Sequence, residues 1–216
     1  MDGFKTILEK NVTAELVEKK SKFIANIFYV ESVNEAEEKI KNVKKQYYDA
    51  KHNCFAYIIS EDNVLTKRFS DDGEPSGTAG APMLDILEKQ KLYNVVVIVT
   101  RYFGGILLGT GGLVRAYSET LKRVIKNAQI IEQENGYEAE VELEYSNLEQ
   151  FKYYCNKKNI KIIKSEYANN VICRIDINDE EKKLIMNEFN RQNTLGLIRF
   201  DIIRQKNIAI LSKLVN

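Results

Sequence analysis

The chain has 216 residues, 44% of them hydrophobic and 29% charged, with a formal net charge of +1, a size that suits one large domain or two small ones. No apolar run approaches the roughly 20 residues of a membrane span. Basic and acidic residues balance locally as well, 19 against 19 in residues 1–136 and 13 against 12 beyond, so any contact with nucleic acid must rest on a local patch.

The start, Met1-Asp-Gly-Phe-Lys-Thr, has neither the basic opening nor the apolar core of a signal peptide, and a cytoplasmic location with no membrane partner is expected. Three scattered cysteines (Cys54, Cys155, Cys173) fit reduced thiols in that compartment. With His52 the single histidine, a multi-histidine metal site is excluded, and no cofactor is expected.

Residues 4–9 and 12–30 read as two or three strands, with Glu18–Lys22 a polar turn. From Ser32 to Tyr48 the spacing turns helical. Val33, Ala36, Ile40, Val43 and Tyr47 share one face, and the lysines and glutamates opposite read as a solvated face. Asn53–Ser60 and Val64–Phe69 form a hairpin across Glu61-Asp62-Asn63. His52 and Cys54 point to one side of the first strand. An imidazole beside a thiol can activate it, but Cα atoms two apart on a strand are separated by roughly 6.5 Å, long for direct proton transfer.

Ser70–Pro82 gathers glycines, polar residues and both prolines, which predicts an exposed, shaped loop. Its carboxylates Asp71, Asp72 and Glu74 are oxygen donors for a hard cation, yet they match no calcium-loop spacing and Gly73 and Pro75 suggest turn-making instead. No metal site is assigned. Met83–Gln90 reads as a short helix, and Asn94-Val-Val-Val-Ile-Val-Thr100 as a buried strand.

Five of the eleven glycines lie between Gly104 and Gly112, and beyond them Leu113, Val114, Tyr117, Leu121, Val124 and Ile125 recur at helical spacing. A helix therefore leaves the loop near Thr110–Gly112. Its first N–H groups are unpaired and lie at the positive end of its dipole, where they attract anions. Gly104 and Gly109 have phosphate-loop spacing, but Thr110-Gly111 stand where Lys-Ser/Thr is needed, and the third glycine of a dinucleotide fingerprint is missing. Two readings stay open: a turn that only packs helix on sheet, or an anion or RNA-phosphate contact. Arg115 and Lys122 share a helix face, and with Arg101 and Arg68 they are expected to frame a phosphate-sized site. A solvated helix face is the alternative.

Glu132–Gly136 is polar and glycine-terminated, placing a linker at about 131–136 between domains 1–134 and 135–216. The rest reads as strand Tyr137–Tyr145, helix Ser146–Asn159 with Ser146 and Glu149 as a capping box, strands Ile160–Tyr167 and Asn170–Ile177, helix Asp179–Arg191 and strand Leu197–Ile203. That order, βαββαβ, is the ferredoxin-like split unit, a fold that by itself names no function. The fold class is α+β in two domains.

Asp71-Asp-Gly-Glu-Pro-Ser-Gly-Thr-Ala-Gly80, Pro82-Met-Leu84 and Arg101-Tyr-Phe-Gly-Gly-Ile-Leu-Leu-Gly-Thr-Gly-Gly-Leu-Val-Arg-Ala-Tyr117 resemble the YigZ/IMPACT family. Ser21-Lys-Phe-Ile-Ala25 and His52-x-Cys54-x-Ala56 match it too, and the resemblance covers essentially the whole chain. It implies an N-terminal α/β sandwich akin to the second domain of ribosomal small-subunit protein five, followed by a small ferredoxin-like domain. It also implies a place in translation, because eukaryotic relatives regulate initiation at the ribosome. The kinase-pathway role of those relatives is not expected here, since the domain that precedes their IMPACT module is lacking. Carried over, the RNA- or ribosome-binding surface is Arg68, Arg101, Tyr102, Gly104, Gly105, Gly109, Gly111, Gly112 and Arg115, to which the basic helix adds Lys122. The favoured expectation is a non-enzymatic translation-associated protein. The alternative is a small hydrolase or phosphate-handling enzyme using His52, Cys54, Asp71, Asp72 and Glu74.

Overall fold

The computed structural model describes residues 3–61, 64–191 and 193–215, with backbone alone for residues 207 and 209–215. Asp62 and Asn63, the centre of the expected hairpin turn, lie outside the described residues. Two units divide the chain, one built from Phe4–Glu132 and the other from Gln133–Ser212.

The first unit runs β1 (Phe4–Ile7), β2 (Asn11–Glu18), β3 (Ser21–Tyr29), α1 (Val33–Gln46), β4 (His52–Glu61), β5 (Val64–Ser70), α2 (Gly80–Lys89), β6 (Val95–Tyr102) and α3 (Gly109–Asn127). Five strands form one sheet in the order β2-β3-β6-β4-β5, every neighbour antiparallel. The apolar run Val95–Val99 is the middle strand because both its faces are covered. Val95, Val97 and Val99 meet Cys54, Ala56, Ile58, Phe23 and Ile27 beneath α2 and α3, whereas Val96 and Ile98 meet Phe55, Tyr57 and Ile59 beneath α1. Period-two alternation thus sorts β3, β4 and β6 into two cores. Each fully buried aliphatic or aromatic side chain contributes about 1.5–3 kcal/mol.

Ser32 caps α1, its hydroxyl accepting from the Glu35 N–H at 3.2 Å. The expected loop over 70–82 is shorter than predicted, because α2 begins at Gly80. Pro82 sits in its first turn, where a missing N–H breaks no helical bond.

The second unit runs β7 (Ile130–Leu143), α4 (Leu148–Lys157), β8 (Lys161–Tyr167), β9 (Val171–Ile177), α5 (Asp179–Arg191) and β10 (Leu197–Val215). Its sheet follows β10-β7-β9-β8, the ferredoxin-like order. The core joins Val141, Leu143, Phe151, Cys155, Cys173, Ile175 and Ile185.

Two local expectations fail here. Glu132–Gly136 belongs to β7 rather than to an irregular linker, with Gln133 and Gly136 buried in it. Strand pairing is made by backbone groups, which every one of these residues carries whatever the polarity of its side chain. Ser146 does not cap α4: its hydroxyl donates to Glu144 and the helix opens without a side-chain cap. The reciprocal box is instead at α5, where Asn178 Oδ1 accepts from the Glu181 N–H at 2.9 Å and Glu181 accepts from the Asn178 N–H at 2.8 Å.

Candidate functional site

Strand register brings the distinctive residues to one end of the first unit's sheet. His52 pairs with Arg101 and Phe23 with Arg101 across β4, β6 and β3, while the Ser70 end of β5 lies beside Phe55. The acidic loop 71–79 and the glycine loop 103–108 both leave from this end.

The acidic loop is held by its own carboxylates. Asp71 accepts from the N–H groups of Gly77, Ala79 and Gly80 at 2.8, 2.9 and 2.8 Å, so it serves as acceptor for the start of α2. Asp72 accepts from the Asn53 N–H at 2.7 Å and pairs with Lys44 at 2.7 Å. Glu74 points inward and receives Arg101 Nη1 at 2.8 Å and the Tyr117 hydroxyl at 2.9 Å. The three carboxylates aim at three separate sets of partners, and among the described residues no acidic, histidine or cysteine cluster is arranged to hold a metal ion.

Arg101 corrects the expectation of a surface cation. Its side chain is 7% exposed and that of Glu74 is 3% exposed. The guanidinium lies 5.5 Å from the Phe23 ring centre and 5.6 Å from that of Phe103, within cation–π range of both. Arg101 therefore ties β6 to the acidic loop instead of presenting a charge to solvent. The alternation of β6 explains this: Arg101 follows Val95, Val97 and Val99 to the side covered by α2 and α3. Helical spacing places Tyr117 in the core but is silent on what its hydroxyl bonds. A buried tyrosine needs a partner, and that requirement is the signal that finds Glu74.

Cys54 and His52 form no nucleophile–base pair. Cys54 is fully buried, and its thiol donates to the Asp71 carbonyl at 2.9 Å. Burial, reinforced by the nearby Glu74, Asp72 and Asp71 carboxylates, pushes that thiol up to about 12, so no thiolate forms near neutral pH. His52 directs Nδ1 to the Asp72 carbonyl at 3.0 Å.

The expected four-cation frame separates as well. Arg68 pairs in register with Tyr57, so it lies on the α1 side of the sheet, bonded to Glu37 at 2.7 Å. Tyr102 also turns to that side, its hydroxyl donating to Asp49 at 2.7 Å. That hydrogen bond raises the phenol to about 12.

What remains together is the glycine loop, the start of α3, Arg115 and Lys122. Gly104 is pinned: a Cβ there would lie 2.0 Å from the Lys20 carbonyl carbon, and its N–H reaches Ser21 Oγ at 3.2 Å. Gly109 takes φ +71°, and a Cβ there would meet nothing within 4 Å, so backbone conformation and not space selects glycine. Gly105 and Gly111 are exposed, and Gly112 beside them is half-buried. The helix opens with no side-chain cap and no acid in its first turn. Arg115 Nη1 lies 3.8 Å from the Cβ position of Gly111, so its guanidinium folds back alongside the first turn of the helix. Among the described residues neither Arg115 nor Lys122 pairs with a carboxylate. Both line a cleft of about 470 Å³ with Lys19, Arg123 and, as its acids, Glu18 and Glu119. Lys19, in the β2–β3 turn, is a cation that sequence reading treats only as turn polarity.

The Impact N-terminal domain matches residues 19–125, which include every residue of both loops. The IMPACT family member YvyE of Bacillus subtilis is 35% identical over 202 residues, covering 94% of this chain and 91% of that one. The chain belongs to the IMPACT family. YigZ of Escherichia coli, another member, is 35% identical over 158 residues, 73% of this chain and 78% of its own. A crystal structure of a hypothetical protein superposes with a TM-score of 0.61 at 30% identity, over 97% of this chain and 98% of that chain. No described helix is long and apolar enough to cross a membrane.

Proposed function

We propose that this IMPACT-family chain is a non-enzymatic, cytoplasmic regulator of translation that binds RNA phosphates on the ribosome through the start of α3. The observation that carries the proposal is the uncapped N-terminus of α3 with Arg115 folded back beside its first turn. A cation at the positive end of a helix dipole is unfavourable on its own, and an anion bound between them relieves both. Lys122 and Lys19 extend the positive surface along the cleft, as a phosphate backbone requires, and Arg123 is paired there with Glu119. Family membership supports the setting, since the resemblance to IMPACT proteins implies a translational role.

Co-sedimentation with ribosomes across a salt series tests the reading. Wild type is expected to co-migrate at low salt and to dissociate as salt rises. Arg115→Ala with Lys122→Ala is expected to weaken association roughly tenfold and to flatten the log–log salt slope by about 1.5, two phosphate contacts' worth. No association at any salt, or a double variant that sediments like wild type, would sink the proposal.

A further inference from the structure

The α1 side of the first unit's sheet carries a second basic surface that the α3 reading does not use. α1 packs on β4 and β6, and β5 is the edge of the sheet. A groove of about 810 Å³ opens between α1 and β5. Lys41, Lys44, Lys45 and Arg68 line it against one carboxylate, Glu37. Lys44 is held by Asp72 and Arg68 by Glu37, whereas Lys41 and Lys45 have no ion pair among the described residues.

Two flat surfaces accompany these charges. The Arg68 guanidinium lies 5.9 Å from the Phe55 ring centre, and its side chain is 59% exposed, so a planar cation is accessible from solvent. Tyr48, one turn beyond Lys44 and Lys45 and 85% exposed, stands at the groove's rim. Hydrophobic burial cannot explain so exposed a ring beside unpaired lysines.

We infer that this groove binds single-stranded nucleic acid, with Lys41 and Lys45 on phosphates and Tyr48 and Arg68 as stacking platforms. Cations interleaved with planar groups are the combination that single strands use, because unpaired bases have free faces. A duplex hides those faces, and an acidic peptide uses the lysines but gains nothing from the planes. The groove lies across the sheet from α3, and the inference stands independently of the α3 proposal.

Fluorescence anisotropy of the full chain with a labelled oligouridylate of about 12 nucleotides, within the range that single-strand sites span, decides the matter. Lys41→Ala with Lys45→Ala is expected to weaken binding about tenfold near 0.1 M salt and to reduce the salt slope by about 1.4. Tyr48→Ala is expected to weaken it about fivefold or more while leaving the slope unchanged. The losses caused by the groove variants are expected to persist undiminished in an Arg115→Ala, Lys122→Ala background, which separates this site from the α3 surface. The altered side chains are exposed, so the variants keep the fold. Absence of oligonucleotide binding by wild type overturns the inference, as does wild-type affinity in either groove variant. Displacement by an equal concentration of hexaglutamate, with Tyr48→Ala silent, overturns it in favour of an acidic protein partner.

Discussion

Helices α2 and α3 start at the same end of one sheet, each after a glycine-rich loop, and they treat their first N–H groups in opposite ways. At α2 the Asp71 carboxylate accepts from Gly77, Ala79 and Gly80, and Glu74 turns inward to Arg101 and Tyr117. At α3 no side chain caps the helix, no acid occupies the first turn, and a cation lies beside it. A helix start satisfied from within is part of the scaffold. One left open beside unpaired cations is the arrangement that the proposed anion contact would use. Glycine content and loop length do not distinguish the two loops; the presence or absence of an internal acceptor does.

Three substitutions put that contrast to the test. The largest effect is expected from Glu74→Ala, which leaves Arg101 buried without its carboxylate and lowers stability by about 3–5 kcal/mol, read from the urea midpoint. A loss within experimental error would show that the Arg101 strut is not structural. Asp71→Ala removes the acceptor of three N–H groups, and a loss of about 1–2 kcal/mol is predicted from the same titration. If α2 were as indifferent to its acid as α3 is, that value would be near zero. The smallest and most pointed change is Thr110→Asp, which gives α3 the acid that it lacks. It is expected to raise stability by about 0.3–1 kcal/mol and at the same time to weaken ribosome co-sedimentation. A variant that gains stability and still binds as wild type would detach the open helix start from function.

Patterns that depend on neighbours in sequence are legible without coordinates. The β-branched run of β6, the period of α3 and the βαββαβ order each follow from local spacing, and α5 spans Asp179–Arg191 as its periodicity predicts. Properties set by distant partners are not legible in this way. Arg101 finds Glu74 27 residues away, and nothing near either residue says that both are buried. Charge alone groups Arg68 with Arg115, although strand alternation and pairing with Tyr57 send it to the other face. Ser146 and Glu149 have the spacing of a capping box, but a 3₁₀ turn over Tyr145–Asn147 precedes α4 and removes the geometry that such a box requires. The same spacing rule applied to Asn178 and Glu181 finds the box that does form.

Gly104 connects the glycine loop to a turn far away along the chain. Its contact with Lys20 and Ser21 closes a separation of 83 residues, and the β3–β6 pairing that makes the contact possible spans a similar distance. Closing long loops precedes the gain from the contacts they permit, so such contacts form late and slowly. The open start of α3 is consequently absent from a chain that is still being assembled and is shaped only once both ends of the sheet have met. A protein built in this way completes its glycine loop only after the first unit has finished folding.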